Sequence, residues 1–239
     1  MWSRAVDRLR QSESRFVLRH TIQFLTRGHI FRNRIVNRYF SEHQKKKLNI
    51  GCGPQTIPGY LNTDVDRTGE IYLDAEGSLP FSSNSFDVVF SGHMIEHISE
   101  EAGQQFLNEI YRILKGSGTA IIATPDLERI SNLMYGMGDN PDKNKILKKH
   151  EDMTNTKNIG PAEYINDMTH REFGHQFIYD KYTLEKSLDK AGFDSVDLVG
   201  NFNTNDGELN RYLTETKDSE DGAYDQITMT LEATGVNER

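Results

Sequence analysis

The stretch LNIGCGPQTIPGYLNTDVD, residues 48–66, sets two short apolar runs around a glycine pair, Gly51 and Gly53, and places Asp64 near the end of the second run. It reads as a strand, a tight turn and a second strand ending in an acid. A pyrophosphate-binding loop needs G-x-G-x-x-G and a helix that starts at the turn, because the helix N-terminus faces the phosphates. Here Thr56 stands at the third glycine position, and only residues 54–59 separate Gly53 from Tyr60. Two of those residues are Pro54 and Pro58, so a full helix does not fit. The spacing argues against a dinucleotide that is held by its phosphates.

Outward from this stretch, strands and helices alternate. Candidate strands are 47–50, 60–65, 71–73, 86–91 and 118–124. The runs SFDVVFSG and GTAIIATP are short, apolar and rich in Val and Ile, as buried parallel strands are. Between them lies SEEAGQQFLNEIYRILKGSG. Ser99 can cap a helix there, Ala102, Phe106, Ile110 and Leu114 form an apolar stripe, and Gly116 is the expected stop. The unit is β–α–β, which implies a mostly parallel sheet with right-handed crossovers.

Beyond it the spacing predicts a helix near 126–137 and then a long polar excursion. A second convincing helix is DKYTLEKSLDKAGF, with Thr183 or Asp180 as its cap, Leu184 and Leu188 on its packed face and Gly192 at its end. DSVDLVG and DQITMTLEAT read as two final strands. The Asn-, Asp- and Glu-rich segment 201–224 reads as an exposed loop.

A ligand with an adenosine but no phosphate would not miss the absent helix. S-adenosylmethionine is such a ligand. Asp64, at the end of the second strand, can hold its ribose hydroxyls. Asp74 and Ala75, after the third strand, can flank its adenine. Gly51 and Gly53 lack Cβ and let the backbone come close to its amino-acid end. These positions follow the carboxyl ends of successive strands, where open α/β sheets bind ligands.

With LNIGCG, YLNTDVD, LPFSSNSFDVVFSGHMIEHI, EIYRILKGSGTAIIATPD and HQFIYDKYTLEKSLDKAGF in view, the chain resembles the class I S-adenosylmethionine-dependent methyltransferases over about residues 47–200. Within them it resembles the small enzymes found with genes for bacterial surface-polysaccharide and glycan synthesis. The resemblance implies an α/β fold, a Rossmann-like seven-stranded, mostly parallel sheet with an antiparallel last strand. It implies S-adenosyl-L-methionine as cofactor and S-adenosyl-L-homocysteine as product. Gly51 and Gly53 would line the methionine part, Asp64 the ribose, and Asp74 and Ala75 the adenine. Ser91, Gly92 and His93 would border the sulfonium. Cys52 and Val65 complete this expected cofactor set.

Methyl transfer to an alcohol needs alignment and a proton acceptor. Histidine suits that role near neutral pH, and the candidates are His93, His97, His170 and His175. His93 and His175 are the expected catalytic pair: His93 stands at the end of the fourth strand, and His175 lies just after the polar excursion, where the family's acceptor wall lies. His93 and His97 are four residues apart and could share a helical face. A third metal ligand is not apparent in the sequence, so no metal is expected.

The chain of 239 residues carries a net charge of −8, unevenly spread. Residues 1–47 hold 12 Lys+Arg against 3 Asp+Glu, and the remainder is strongly acidic. Residues 1–46 read as a basic helical arm and 47–239 as the methyltransferase domain, with 138–175 inserted on the acceptor side. The arm reads first as a helix packed on the domain, and second as a membrane-surface helix meeting anionic lipid or a partner through residues 1–40. Nucleic acid is not expected, because no aromatic-basic recognition signature accompanies the charge. Cys52 is the single cysteine, and no apolar run reaches a membrane span. A cytoplasmic enzyme, with contact to the inner face of the membrane through the arm, is the expectation. The resemblance to the glycan-linked enzymes implies a sugar hydroxyl of a surface-polysaccharide or lipopolysaccharide pathway as the substrate. Alternatives are a quinone or natural-product phenol, and a non-catalytic binding module of the same fold.

Overall fold

A computed structural model describes residues 31–136, 141–171, 173–200, 203–215 and 226–235. Most of the basic arm, residues 1–30, lies outside the described residues. Helix α1 spans Arg32–Glu42, followed by β1 (Lys47–Ile50), β2 (Leu61–Asp64), β3 (Ile71–Tyr72) and β4 (Phe86–Gly92). A 3-10 turn at Ile95–His97 leads into α2 (Glu100–Ile113) and β5 (Leu114–Pro125). Then come α3 (Leu127–Tyr135), α4 (Pro141–Thr154), α5 (Pro161–Asn166), a π-turn at Asp167–Arg171 and α6 (Lys181–Ala191). The chain closes with β6 (Ser195–Gly200), α7 (Gly207–Glu215) and β7 (Thr228–Thr234).

The sheet has seven strands in the order β3-β2-β1-β4-β5-β7-β6, and β7 alone runs antiparallel to its neighbours. This is the Rossmann-like sheet that the sequence predicts. Strand order reverses between β1 and β4, and ligands of open α/β sheets sit at such a switch point. The parallel strands are buried on both faces: all four residues of β1 are buried, as are Phe86, Val88, Val89 and Phe90 of β4. One large core lies under α1, α2 and α6. Phe106, Ile110 and Ile113 of α2 and Leu184 and Leu188 of α6 are all fully buried in it.

No helix links β1 to β2, as the two prolines predict. Side chains satisfy that loop instead. Asn62 accepts from the Ile57 N–H (2.8 Å) and donates to the carbonyls of Ile57 and Tyr60, and Asn49 donates to it in turn (3.0 Å). From the other side Tyr39 of α1 enters the core, where its hydroxyl accepts from the Lys47 N–H and faces the carbonyls of Lys47 and Gly59.

Three local expectations are corrected, and one open alternative is settled. Helix α2 ends at Ile113 rather than at Gly116, and β5 begins at once with Leu114, since buried apolar side chains on both sides leave no room for a loop. Of the two caps the sequence offers for α6, Asp180 is the one used, accepting from the Thr183 N–H at 2.8 Å. The excursion after 137 is largely helical and has its own small core around Ile130, Met134, Ile146 and Tyr164. The segment read as an exposed loop contains α7, whose Leu209 and Leu213 are buried against Val88, Phe90, Ile121 and Ala123 of the sheet.

Candidate active site

At the end of β1 the chain turns through Gly51 (φ +72°) and Gly53 (φ +51°). The amides of Gly51 and Cys52 both donate to the Thr63 carbonyl, and the Gly53 N–H donates to Asp64 Oδ2 at 2.8 Å. A Cβ on Gly51 would come within 2.4 Å of Met94 Cγ, so only glycine fits under that side chain. The turn faces a groove of about 290 Å³ lined by Asn49, Gly51, Cys52, Gly53, Pro54, Gln55, Ile57, Phe90, Gly92, His93, Tyr212 and Leu213.

Of the residues expected to hold the cofactor, five line this groove: Gly51, Cys52, Gly53, Gly92 and His93. Asp64 joins it through Gly53. Ser91, Val65, Asp74 and Ala75 lie outside its lining. Val65 and Asp74 are exposed and Ala75 is in the core, on the far side of β1, where β3 is the edge strand. The sequence reading missed Tyr212 and Leu213, which reach the groove from α7. Tyr212 closes it by donating to the Thr56 carbonyl (2.9 Å). A usable signal existed: Leu209, Tyr212 and Leu213 stand at i, i+3 and i+4.

The groove fits an adenosyl ligand without phosphate. A Cβ built on Gly53 would enter open space, with no heavy atom within 4 Å. The buried Ser91 hydroxyl, next to Gly92, has no hydrogen-bond partner among the described residues. The β1–β2 loop offers no helix N-terminus that would call for a phosphate.

His93 is the residue at the partition between two cavities. It lines the groove and also a second cavity of about 300 Å³. The second cavity is walled by Glu96, His97, Pro125, Met153, Met168, Phe173, His175 and Ile227. His93 is held at φ +52°, a left-handed conformation that is uncommon for a residue with a side chain and concentrates at functional sites. Its N–H donates to the Ala123 carbonyl, its Nδ1 faces Glu96 Oε1 (3.3 Å) and its Nε2 faces Thr228 Oγ1 (3.3 Å).

Glu96 is fully buried, and Thr124 Oγ1 donates to its Oε2 at 3.0 Å. Burial pushes its carboxyl up, but hydrogen bonding and charge from His93, its own N–H and His97 outweigh that and hold it below the usual carboxylate range. His175 reaches the same cavity from the far side of the excursion. Its Nδ1 is bonded to the Met168 carbonyl, and its ring packs on Phe173 and edge-on to His97. Burial pushes the His175 imidazole below its ordinary pKa, which favours the neutral form. The side chain of His170 lies outside the described residues. His97 is on the 3-10 turn and His93 precedes it in a left-handed conformation, so the two share no helical face; the His97 ring meets that of His175 edge-on.

Residues 48–122 match a family model described as a methyltransferase domain. No protein of curated function matches the sequence. Among solved structures, a SAM-dependent methyltransferase from Thermotoga maritima, described as a possible histamine N-methyltransferase, is 17% identical, with a TM-score of 0.46, over 98% of this chain and 100% of its own. A Haemonchus contortus phosphoethanolamine N-methyltransferase 2, in complex with phosphomonomethylethanolamine and S-adenosylhomocysteine, is 15% identical, with a TM-score of 0.44, over 91% of this chain and 55% of its own. The CMeT domain of the citrinin polyketide synthase is 12% identical, with a TM-score of 0.47, over 81% of this chain and 47% of its own, so the chain spans about half the length of that protein. The family match covers β1 to β5, the part of the sheet that carries the glycine turn, Asp64 and His93. That match and the strand-order switch beside the groove bear on the same part of the chain, and what matches there is a methyltransferase domain.

Proposed function

We propose that the protein O-methylates a sugar hydroxyl in a bacterial surface-polysaccharide, lipopolysaccharide or related glycan pathway. The observation that carries an acceptor reading is the double exposure of His93, which lines the cofactor groove and the neighbouring cavity alike. The glycan class is supported by the sequence resemblance of the strand-end motifs. When bound, S-adenosylmethionine supplies a methyl group on a positively charged sulfur. The chain's own residues then have three tasks. The glycine turn and Tyr212 wall the groove that receives the cofactor. His93 receives the acceptor hydroxyl and takes its proton as the oxygen attacks, with the Glu96 carboxylate behind its Nδ1. Phe173 and His175 wall the acceptor against that point.

The test is methyl release from labelled cofactor with a panel of sugars and nucleotide-linked sugars. His93→Ala is expected to lose roughly 10²–10⁴-fold in turnover while keeping cofactor affinity. Unchanged turnover would remove His93 from the chemistry. Apolar walls at Met153, Met168, Phe173 and Ile227 favour a second reading, a quinone-derived or natural-product phenol. Phenols ionise more readily, so that acceptor would leave His93→Ala far less impaired. A cofactor-binding module without catalysis predicts binding with no methyl release to any acceptor.

A further inference from the structure

We propose that Glu96, His97 and His175 form a binding site for a divalent transition-metal cation at the floor of the acceptor cavity. One ligand atom from each lies within 4.8 Å of the others. Two imidazoles and one carboxylate are the donor set that Zn²⁺ and its first-row neighbours take in open, three-ligand sites. The sequence conceals this set, because His175 is far from the Glu96-His97 pair along the chain. Backbone hydrogen bonds bring it there. The Gln176 and Phe177 amides donate to the Glu96 carbonyl at 2.7 and 3.3 Å, and Gln176 Nε2 donates to the His97 carbonyl at 2.8 Å.

Two of the three ligands are already oriented as metal ligands are. His175 has its Nδ1 on the Met168 carbonyl, which leaves Nε2 as the nitrogen that a cation can take. A metal-bound histidine is fixed in just this way, by an outer carbonyl on its other nitrogen. Glu96 is held by Thr124 and His93. Its carboxylate is wholly buried, a costly position for an anion without a cation nearby. The third ligand, His97, has no hydrogen bond to its ring among the described residues. It is free to turn inward, and a turn is needed: tetrahedral bonds of about 2.0–2.1 Å place donors about 3.4 Å apart. A cation there would also draw an acceptor oxygen toward His93, on the side of the cavity that meets the cofactor groove.

This site stands on its own geometry and does not rest on the glycan reading. The test uses the full chain, freed of any affinity tag and stripped with a chelator, then titrated with cobalt(II) alone. Wild type is expected to take up about one equivalent with the visible absorption of a low-coordinate site. His97→Ala is expected to abolish uptake without loss of folding, because no hydrogen bond holds that ring. Thr124→Val removes only the outer hydrogen bond to Glu96 and is expected to weaken cobalt binding roughly 10–100-fold. No uptake by wild type, or equal uptake by wild type and His97→Ala, overturns the site. Calorimetry with S-adenosylmethionine on the stripped protein separates the two proposals. Cofactor binding without cobalt uptake sinks the metal site alone, whereas cobalt uptake by a protein that methylates no acceptor sinks the transferase reading and supports the metal site.

Discussion

At the scale of single residues, Asp64, expected from the sequence to hold a ribose, also ties down the backbone around it. Its Oδ2 accepts from the Gly53 N–H and its Oδ1 from the Asp66 N–H, so one carboxylate fixes both the glycine turn and the end of β2. Each oxygen keeps a second lone pair, which leaves capacity for ligand hydroxyls. Asp64→Ala removes a charge-assisted hydrogen bond worth about 1.5–3 kcal/mol. We expect cofactor affinity to fall at least tenfold by calorimetry, since about 1.4 kcal/mol is a factor of ten. Wild-type affinity in the variant would show that the turn holds without it. This residue was legible because glycines, prolines and a strand-end acid act locally. His175 was legible as a candidate by its place after the excursion. Its partnership with Glu96 and His97 was not, since no local rule joins residues so far apart.

Among the elements, α7 is one that the sequence concealed, as it did the helices of the excursion. Polar neighbours in 201–224 masked its Leu209–Leu213 stripe. It is tied down at its start by Asp206, whose Oδ1 accepts from the Glu208 and Leu209 amides while Lys47 of β1 donates to its Oδ2 at 3.2 Å. Lys47 is buried, and Glu208 is its other partner at 2.7 Å. Burial pushes the Asp206 carboxyl up, but the Leu209 N–H and the Lys47 ammonium prevail and lower its pKa. A lowered carboxylate adds stability above its unfolded pKa, near 3.9, and loses it as pH falls through the folded value. Asp206→Asn is therefore expected to cost about 2 kcal/mol at pH 7, from the charge lost at the helix start and a less compensated lysine. In urea titrations the gap to wild type should hold from pH 7 to 5 and shrink below about pH 4. A gap that widens in acid would contradict the linkage. Because α7 walls the groove proposed for the cofactor, the same variant should also weaken cofactor binding.

For the whole molecule, the charge division is the feature still to be used. We propose that the basic residues before α1 contact anionic membrane, near membrane-assembled acceptors. No helix among the described residues is long and apolar enough to cross a membrane. Helix α1 itself is not a detachable arm, since Ile35, Val36, Tyr39 and Phe40 pack on the main core. A truncation must stop at residue 30 to leave Tyr39 in place. We expect the full chain to float with vesicles rich in anionic lipid at low salt, and the chain lacking residues 1–30 to stay behind. Equal flotation of both would assign the contact elsewhere.

What the sequence by itself determined was whatever nearest neighbours decide. That includes the helix-free glycine turn, the buried parallel strands β4 and β5, the caps at Ser99 and Asp180, and through them the sheet. Each follows from backbone sterics and apolar period over a few residues. The tertiary structure decided the rest. It set α7 against the groove, His93 between two cavities, and His175 beside Glu96 and His97. Those contacts are made by distant segments whose meeting is selected by burial of the whole core, and no short stretch encodes that selection.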